Sequence, residues 1–482
     1  MADILIRNGT VIAIDEERRI IPDGAVAITG DRIVAVGPTE EVAAAHPAGE
    51  VIDARGMAIM PGFVDAHAHA GHGVVKSMGG GRDEPWYRAC REGYTQASPP
   101  EFWFAEAQLS ALERLRFGVT TGVSLLGGGD SVMRTDHPEY GDAHMEGVLG
   151  IGTRSVMAVG STRPPHSLTY ARWDGDTRTE YPVTFDQQFA TCETLIKRWN
   201  RTHGDRLHVA LLTPTIHERH LSQEGAAEAM AQTRNMKWLA EEHGLVFTQD
   251  GHASGTVRIA REMGILGPRT LISHAAGIEM DEVAICAETG TCVVHNPSTI
   301  AAIMARCPVT ELIDAGATVA IGSDASSPDR SGDMFRHMQQ AMHYHRTHFH
   351  DPSWLPPGKA LEMCTIDAAK VLGLDHEIGS LAPGKKADVI LVDLRRPHLY
   401  PAHQPEFRVT YFANGNDVHT VLIDGKVLLR DRKAVHVNED AVLDAVQREA
   451  DLFLDRLNLR YALDTPPMFW RHSRDMDAIG DE

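Results

Sequence analysis

The feature that most constrains this chain is a series of eight short apolar segments separated by longer helical stretches. The segments are AIMPGFVDAHAH, GVTTGVSLL, TRSVMAVG, LHVALLTP, GLVFTQ, TLISHA, TCVVHNP and ATVAIGSD. Between them stand stretches such as EFWFAEAQLSALERLRF, FATCETLIKRWN, EGAAEAMAQTRNMKWLAEEH and MDEVAICAET. Parallel strands need a crossover long enough to hold a helix, so this alternation predicts an α/β fold with a parallel sheet. Eight units predict closure into a (β/α)8 barrel of the TIM type, with an open doubly wound sheet as the alternative.

The ends of the chain have a different texture. ILIRNGTVIAI, GAVAITGDRIVAVG and EVIDARGMAIMPG near the start, and ADVILVDL, HTVLIDGKVLL and RKAVHVN near the end, are rich in Val and Ile with NG, GD and DG turn signals. The expected division is a first β-rich part over 1–58 and the barrel over 59–376. A second β-rich part follows over 377–436, then a helix and polar tail over 437–482. The two β-rich ends are expected to pair into one small β-sandwich domain. A chain of 482 residues has room for this, since a barrel takes roughly 250.

Charge and cysteine usage narrow the partners. With 46 Lys+Arg against 66 Asp+Glu the net charge is −20, which disfavours nucleic acid and anionic lipid and leaves a small molecule as the expected substrate. The six cysteines, at 90, 192, 286, 292, 307 and 364, form no CxxC pair and read as reduced, buried thiols. MADILIRNGTVIAID is a strand pattern rather than a signal peptide, and no apolar stretch approaches the ~20 residues of a membrane span. A cytoplasmic enzyme, self-associating into a homo-oligomer, is expected.

Polar groups able to bind a metal close several of these segments, at the rim where barrel enzymes carry their chemistry. His67 and His69 form a His-x-His after the first run, and residues two apart on an extended strand share a face. His274 ends TLISHA and Asp324 ends ATVAIGSD. Three imidazoles and a carboxylate suit one Zn2+ per subunit, and would also hold Fe2+, Co2+ or Mn2+. A lone His-x-His among 26 histidines is a weak signal. Four groups closing separate runs in order are much harder to reach by chance.

PGFVDAHAH resembles the first-strand motif of the amidohydrolase superfamily, and GVTTG, HNPST, GSD and IGSLAPGKKADVILVD fit its later segments. The resemblance spans roughly residues 1 to 435 and implies a metal-activated water attacking an electrophilic carbon. It makes Asp324 the group that takes the proton from that water and passes it to the leaving group. Without the resemblance Asp324 could equally be a simple ligand. No lysine stands at the end of the fourth strand in LHVALLTPTIHERH, so a one-metal site is expected, as in the branch holding nucleobase-type deaminases and triazine hydrolases.

In that branch the fifth strand ends in His-x-x-Glu, whereas this chain has GLVFTQDGHASG. One alignment, preferred because it keeps LVFT as the strand, places Gln249 at the metal position and His252 at the acid position as a proton shuttle. A shifted one makes His252 the ligand and puts Gly255 at the acid position. Either way the glutamate is missing. That favours hydrolysis at the carbonyl of a urea, carbamate, thiocarbamate or amide, as in phenylurea hydrolase and molinate hydrolase. The alternative is an aminohydrolase or dechlorinase of a heteroaromatic ring such as a purine, pterin or triazine. A catalytically dead scaffold is a third reading, opposed by the presence of all four ligand candidates.

Around the site, Trp86 and Tyr87 sit in a glycine-rich loop and either pack on substrate or pin the loop. His166, His295 and Asn296 are further substrate-contact candidates, with surface and backbone-bonding roles as the alternatives. The cluster His337, His343, His345, His348 and His350 is expected to form a surface face or subunit contact. Met334, Met338 and Met342 beside it have helical spacing and are expected in the core.

Overall fold

All eight apolar runs form strands, and they lie side by side in chain order in one parallel sheet. The computed structural model describes residues 2–78, 83–127, 133–327, 330–465 and 469–470. The strands are β1 (Phe63–Asp65), β2 (Val119–Leu125), β3 (Arg154–Gly160) and β4 (Leu207–Pro214). They continue as β5 (Phe247–Asp250), β6 (Thr270–Ser273), β7 (Cys292–His295) and β8 (Val319–Ile321).

The sheet closes on itself just beyond the ends of β1 and β8. Ala66 N donates to Ile321 O at 3.3 Å and Asp324 N to His67 O at 2.8 Å. A buried lock holds the seam. Asp65 accepts from Ser323 N at 2.9 Å, Ser323 Oγ at 2.7 Å and Arg114 Nη2 at 3.1 Å. Closure rather than an open sheet is therefore the outcome, and it sets β1 and β8, with their ligand candidates, against each other.

Alternate strand residues fall into two separate apolar clusters, as period-two geometry requires. Val64, Ala66, Val123, Val156, Ala158, Ala210, Leu212, Leu271, Val294 and Ala320 belong to one, joined by residues between Ala368 and Ile378. Phe63, Met157, Val209, Phe247 and Ile272 belong to the larger cluster that contains the helices. The residues facing one another across the barrel are mostly Val, Ala and Leu, so the interior is a packed core and the chemistry is confined to the rim.

Both ends of the chain contribute to a second, nine-stranded sheet. Its junction is Val389–Asp393, which pairs antiparallel with Met57–Pro61 on one side and Val418–Ile423 on the other. Met57–Pro61 also pairs with Ala2–Ile12. The first apolar run is thus not one strand. It breaks at Gly62, where a Cβ would stand 2.2 Å from Thr120, and hands the chain from the outer sheet to the barrel.

Two further departures from the sequence expectations bear on function. A two-stranded antiparallel hairpin, Leu168–Asp174 with Thr177–Val183, projects after β3. The histidine cluster divides along the helix Met334–Phe349: His337 and His345 are buried with Met334, Met338 and Met342, while His343, His348 and His350 are exposed. The surface reading of the cluster therefore holds for three of its five members. All six cysteines are free and buried. No helix among the described residues is long and apolar enough to cross a membrane. The helix Glu439–Leu457 forms as expected, whereas residues 79–82 of the glycine-rich loop and 471–482 of the polar tail lie outside the described residues.

Candidate metal centre

His67, His69, His274 and Asp324 converge at the mouth of the barrel, and a fifth group, Asp250, stands among them. His67 Nε2 lies 3.3 Å from Asp250 Oδ1 and 3.6 Å from Asp324 Oδ1. His69 Nε2 lies 3.4 Å from Asp250 Oδ2 and 3.1 Å from Asp324 Oδ1. His274 Nε2 is 3.1 Å from Asp250 Oδ1. The sets His67–His69–Asp324 and His67–Asp250–His274 each bring one ligand atom per residue within 4.8 Å of one another.

These spacings fit the edges of a coordination shell. Donors 2.0–2.2 Å from one ion lie about 3.0–3.5 Å from their neighbours. His67 Nε2 is buried and has no hydrogen-bond partner despite the nearby carboxylates. A buried ring nitrogen without a partner is costly unless something else occupies its lone pair. The donor set therefore fits a divalent cation.

The local backbone explains how the groups are aimed. His274 and Asp324 both have positive φ, 69° and 62°, one residue past the end of β6 and three past the end of β8. These left-handed residues turn the chain out of the strand and point the side chain across the rim. Gly322 is needed for the approach, because a Cβ there would meet Asn296 Oδ1 at 2.5 Å and His67 Cβ at 2.8 Å.

Neighbouring polar groups fix which atom faces the centre. His69 Nδ1 donates to Gly127 O at 3.1 Å, which leaves Nε2 as the lone-pair nitrogen. Ser273 Oγ donates to Asp250 Oδ1 at 2.6 Å. Thr299 Oγ1 donates to Asp324 Oδ2, so only Oδ1 turns toward the histidines. The Asn296 amide nitrogen lies 3.3 Å from His274 Nε2. Thr299, Ser273 and Asp250 are all absent from the sequence expectations.

Electrostatics match this geometry. Burial alone would depress the His67 imidazole, but Asp250 and Asp324 outweigh it and push the pKa up to about 10. Burial likewise opposes ionisation of Asp250 and Asp324, yet the surrounding imidazoles hold both well below the usual carboxylate range. Two ionised carboxylates in a water-poor rim call for positive charge between them.

The fifth strand differs from both expected alignments. Gln249 turns away from the centre: its Nε2 donates to Thr213 Oγ1 at 3.2 Å and Pro214 O at 3.1 Å, and its Oε1 lies 3.2 Å from His252 Nε2. His252 is close by but its ring is engaged within the protein, with Nδ1 2.9 Å from Thr256 Oγ1. Burial first, then His217, hold its pKa down to about 3. Asp250, one residue past Gln249, takes the place nearest the histidines because β5 runs two residues beyond the LVFT stretch. Counting three residues on from Asp250 reaches Ala253, not a carboxylate.

The other candidates separate. Trp86 is directed inward, its Nε1 donating to Ser327 Oγ at 2.7 Å and its ring 6.0 Å from His72, which in turn stands 5.0 Å from His69. Tyr87 is 55% exposed beneath Arg91 and faces outward. His166 lies on the loop after β3, against Thr162 and Gln232. His295 ends β7 fully buried, 5.4 Å from His345, with neither ring nitrogen partnered. Asn296 contacts His274 as described. His72, held between Tyr94 OH at 3.1 Å and Cys90 Sγ at 3.7 Å, is a further buried neighbour.

Residues 58–428 match the Amidohydrolase family. The chain belongs to that family. A 5-methylthioadenosine/S-adenosylhomocysteine deaminase of Pelotomaculum thermopropionicum is 28% identical over 462 residues, which is 95% of this chain and 100% of the relative. Among solved structures, an adenosine deaminase from Xanthomonas campestris with bound zinc superposes with a TM-score of 0.80 at 22% identity, covering 94% of this chain and 99% of that one. Atrazine chlorohydrolase from Arthrobacter aurescens TC1 complexed with zinc gives 0.73 at 22% identity, covering 93% and 100%. The two structural likenesses speak for the fold. As an amidohydrolase the chain is an enzyme acting on carbon–nitrogen bonds other than peptide bonds.

Proposed function

We propose that this amidohydrolase is a metal-dependent aminohydrolase of a heteroaromatic ring, of the purine, pterin or triazine kind. The observation that carries the reading is the ring of three imidazoles and two carboxylates at the barrel mouth, in a chain whose full-length relative is named as a deaminase of adenosine-type compounds. With a cation in place of their protons, His67, His69 and His274 would supply nitrogen donors, and Asp250 and Asp324 would supply charge. These five groups would hold a divalent ion, which would supply a water of lowered pKa, from 15.7 toward about 7.

Asp324 has the features of a proton carrier. One of its oxygens faces the histidines while Thr299 fixes the other, so the carboxylate presents a constant face to the incoming water. It takes a proton from the water and returns it to the departing amine. Trp86, anchored on Ser327, closes one side of the site and offers an aromatic plane against which a flat ring can stack.

A second reading, cleavage of a urea, carbamate or thiocarbamate as in phenylurea and molinate hydrolases, is favoured by one observation. Ala253 stands where the deaminase pattern has its acid, and His252 is held neutral and inward. Two measurements separate the readings. Purified protein is analysed for bound metal, then assayed for ammonia release from purines, pterins and aminotriazines and for amine release from phenylureas and thiocarbamates. Ammonia release that disappears in Asp324→Asn, with the fold and thermal transition retained, is the expected result. Turnover confined to the ureas would favour the second reading. Wild-type rates in Asp324→Asn would exclude the proposed proton carrier.

A further inference from the structure

We propose that Asp250 is a second carboxylate ligand that moves the metal preference of this site from Zn2+ toward Mn2+, Fe2+ or Co2+. The inference rests on the metal-centre reading above and goes beyond it by assigning a ligand and a selectivity.

The geometry carries the assignment. Both oxygens of Asp250 lie among the imidazoles: Oδ1 is 3.3 Å from His67 Nε2 and 3.1 Å from His274 Nε2, and Oδ2 is 3.4 Å from His69 Nε2. Asp250 thereby touches all three histidines, which Asp324 does not among its short contacts. The side chain is only 14% exposed. Its one hydroxyl donor among the described residues, Ser273, cannot by itself offset the loss of water around a carboxylate. His67 Nε2, aimed between Asp250 and Asp324 without a hydrogen bond, is a separate sign of something to be bound there.

Selectivity follows from ligand number and hardness. Catalytic zinc sites characteristically have three protein ligands and keep a further position for water. Five converging donors fill a five-coordinate ion and leave it no such position, whereas a six-coordinate ion keeps one. Replacing an imidazole by a carboxylate also hardens the donor set, which suits Mn2+ and Fe2+ better than it suits Zn2+. The order of intrinsic affinities still favours zinc over manganese at most sites, so the effect is a narrowed gap rather than an absolute reversal. The two carboxylate charges also balance a divalent ion fully, which strengthens retention of the more weakly bound metals.

The test uses full-length protein stripped with a chelator and dialysed against equimolar Mn2+, Co2+ and Zn2+ under reducing, oxygen-free conditions, with bound metal counted by mass spectrometry. Asp250→His is expected to raise the ratio of zinc to manganese affinity at least tenfold over wild type. Asp250→Asn, which preserves shape but removes charge, is expected to weaken manganese binding more than tenfold. Co2+-loaded wild type should show the weak visible bands of a five- or six-coordinate ion. Unchanged affinity ratios in both variants, or tetrahedral bands in the Co2+-loaded wild type, would overturn the inference while leaving the hydrolase reading intact. A wild type that binds none of the three ions would overturn both.

Discussion

The hydroxyl of Thr299 gives a direct way to separate proton handling from metal binding. Thr299 is buried and donates to Asp324 Oδ2, the oxygen turned away from the histidines. Thr299→Val keeps the shape of the side chain and removes only this donor, so no cavity opens. A hydrogen bond to a charged group contributes about 1.5–3 kcal/mol. That bond is strongest to the ionised carboxylate, so its loss alone raises the basicity of Asp324. A fall in kcat therefore reads lost orientation, roughly tenfold to 150-fold if about 1.5–3 kcal/mol holds the carboxylate in its reactive pose, at about 1.36 kcal/mol per tenfold. Metal content should not change, because Oδ1 is the atom 3.1 Å from His69 Nε2. The assay is kcat on the best substrate, with metal stoichiometry measured on the same sample. Unchanged kcat would refute the orienting role of Thr299. Loss of metal in step with kcat would show instead that Thr299 only supports the ligand.

Three other outcomes follow from the same coordinates. Gly322→Ala should lower metal stoichiometry, since the added methyl meets His67 Cβ at 2.8 Å and Asn296 Oδ1 at 2.5 Å; full metal loading in this variant would contradict the close packing of the β1–β8 seam. Asp65→Ala breaks the pair with Arg114 and leaves its charge buried, at a cost of about 3–5 kcal/mol in denaturant unfolding; a change under 1 kcal/mol would mean the seam is held by other contacts. His144 is buried with neither ring nitrogen partnered, and burial, then Arg114, hold its pKa down to about 3. Below pH 6.5 the unfolded chain protonates this histidine and the native state does not, so the stability it supports is present above 6.5 and lost toward pH 3. His144→Met should flatten the stability profile there by about 1.4 kcal/mol per pH unit, and an unaltered slope in thermal melts would contradict its neutral state.

The barrel was legible because each of its strands is a compact apolar run, and four of the five converging groups were legible because each closes such a run. Asp250 was not, for a specific reason. The two alignments kept to the His-x-x-Glu spacing and to LVFT as the strand, which left only Gln249 and His252 as candidates. Yet His274 and Asp324 also stand one or more polar residues past their apolar runs, behind Ser273 and the Gly322–Ser323 pair. The same offset applied to LVFTQ points to Asp250. Thr299 and Ser273 carried no signal, because a hydroxyl that orients a carboxylate has no spacing rule of its own. The buried half of the histidine cluster did have one: His337 and His345 share a helical stripe with Met334, Met338 and Met342. The hairpin after β3 was also marked, by the alternation and Asp-Gly turn of LTYARWDGDTRTEYPV, with Gly175 at a φ of 56°.

The strand Met57–Pro61 leads through Gly62 directly into the segment bearing His67 and His69, and it is flanked by Ala2–Ile12 and Val389–Asp393. During synthesis on the ribosome its second flank emerges more than three hundred residues after the first. Contacts so far apart in the chain are slow to form. The histidines that are made first thus gain their second flanking strand only after every other group of the ion cage has been made.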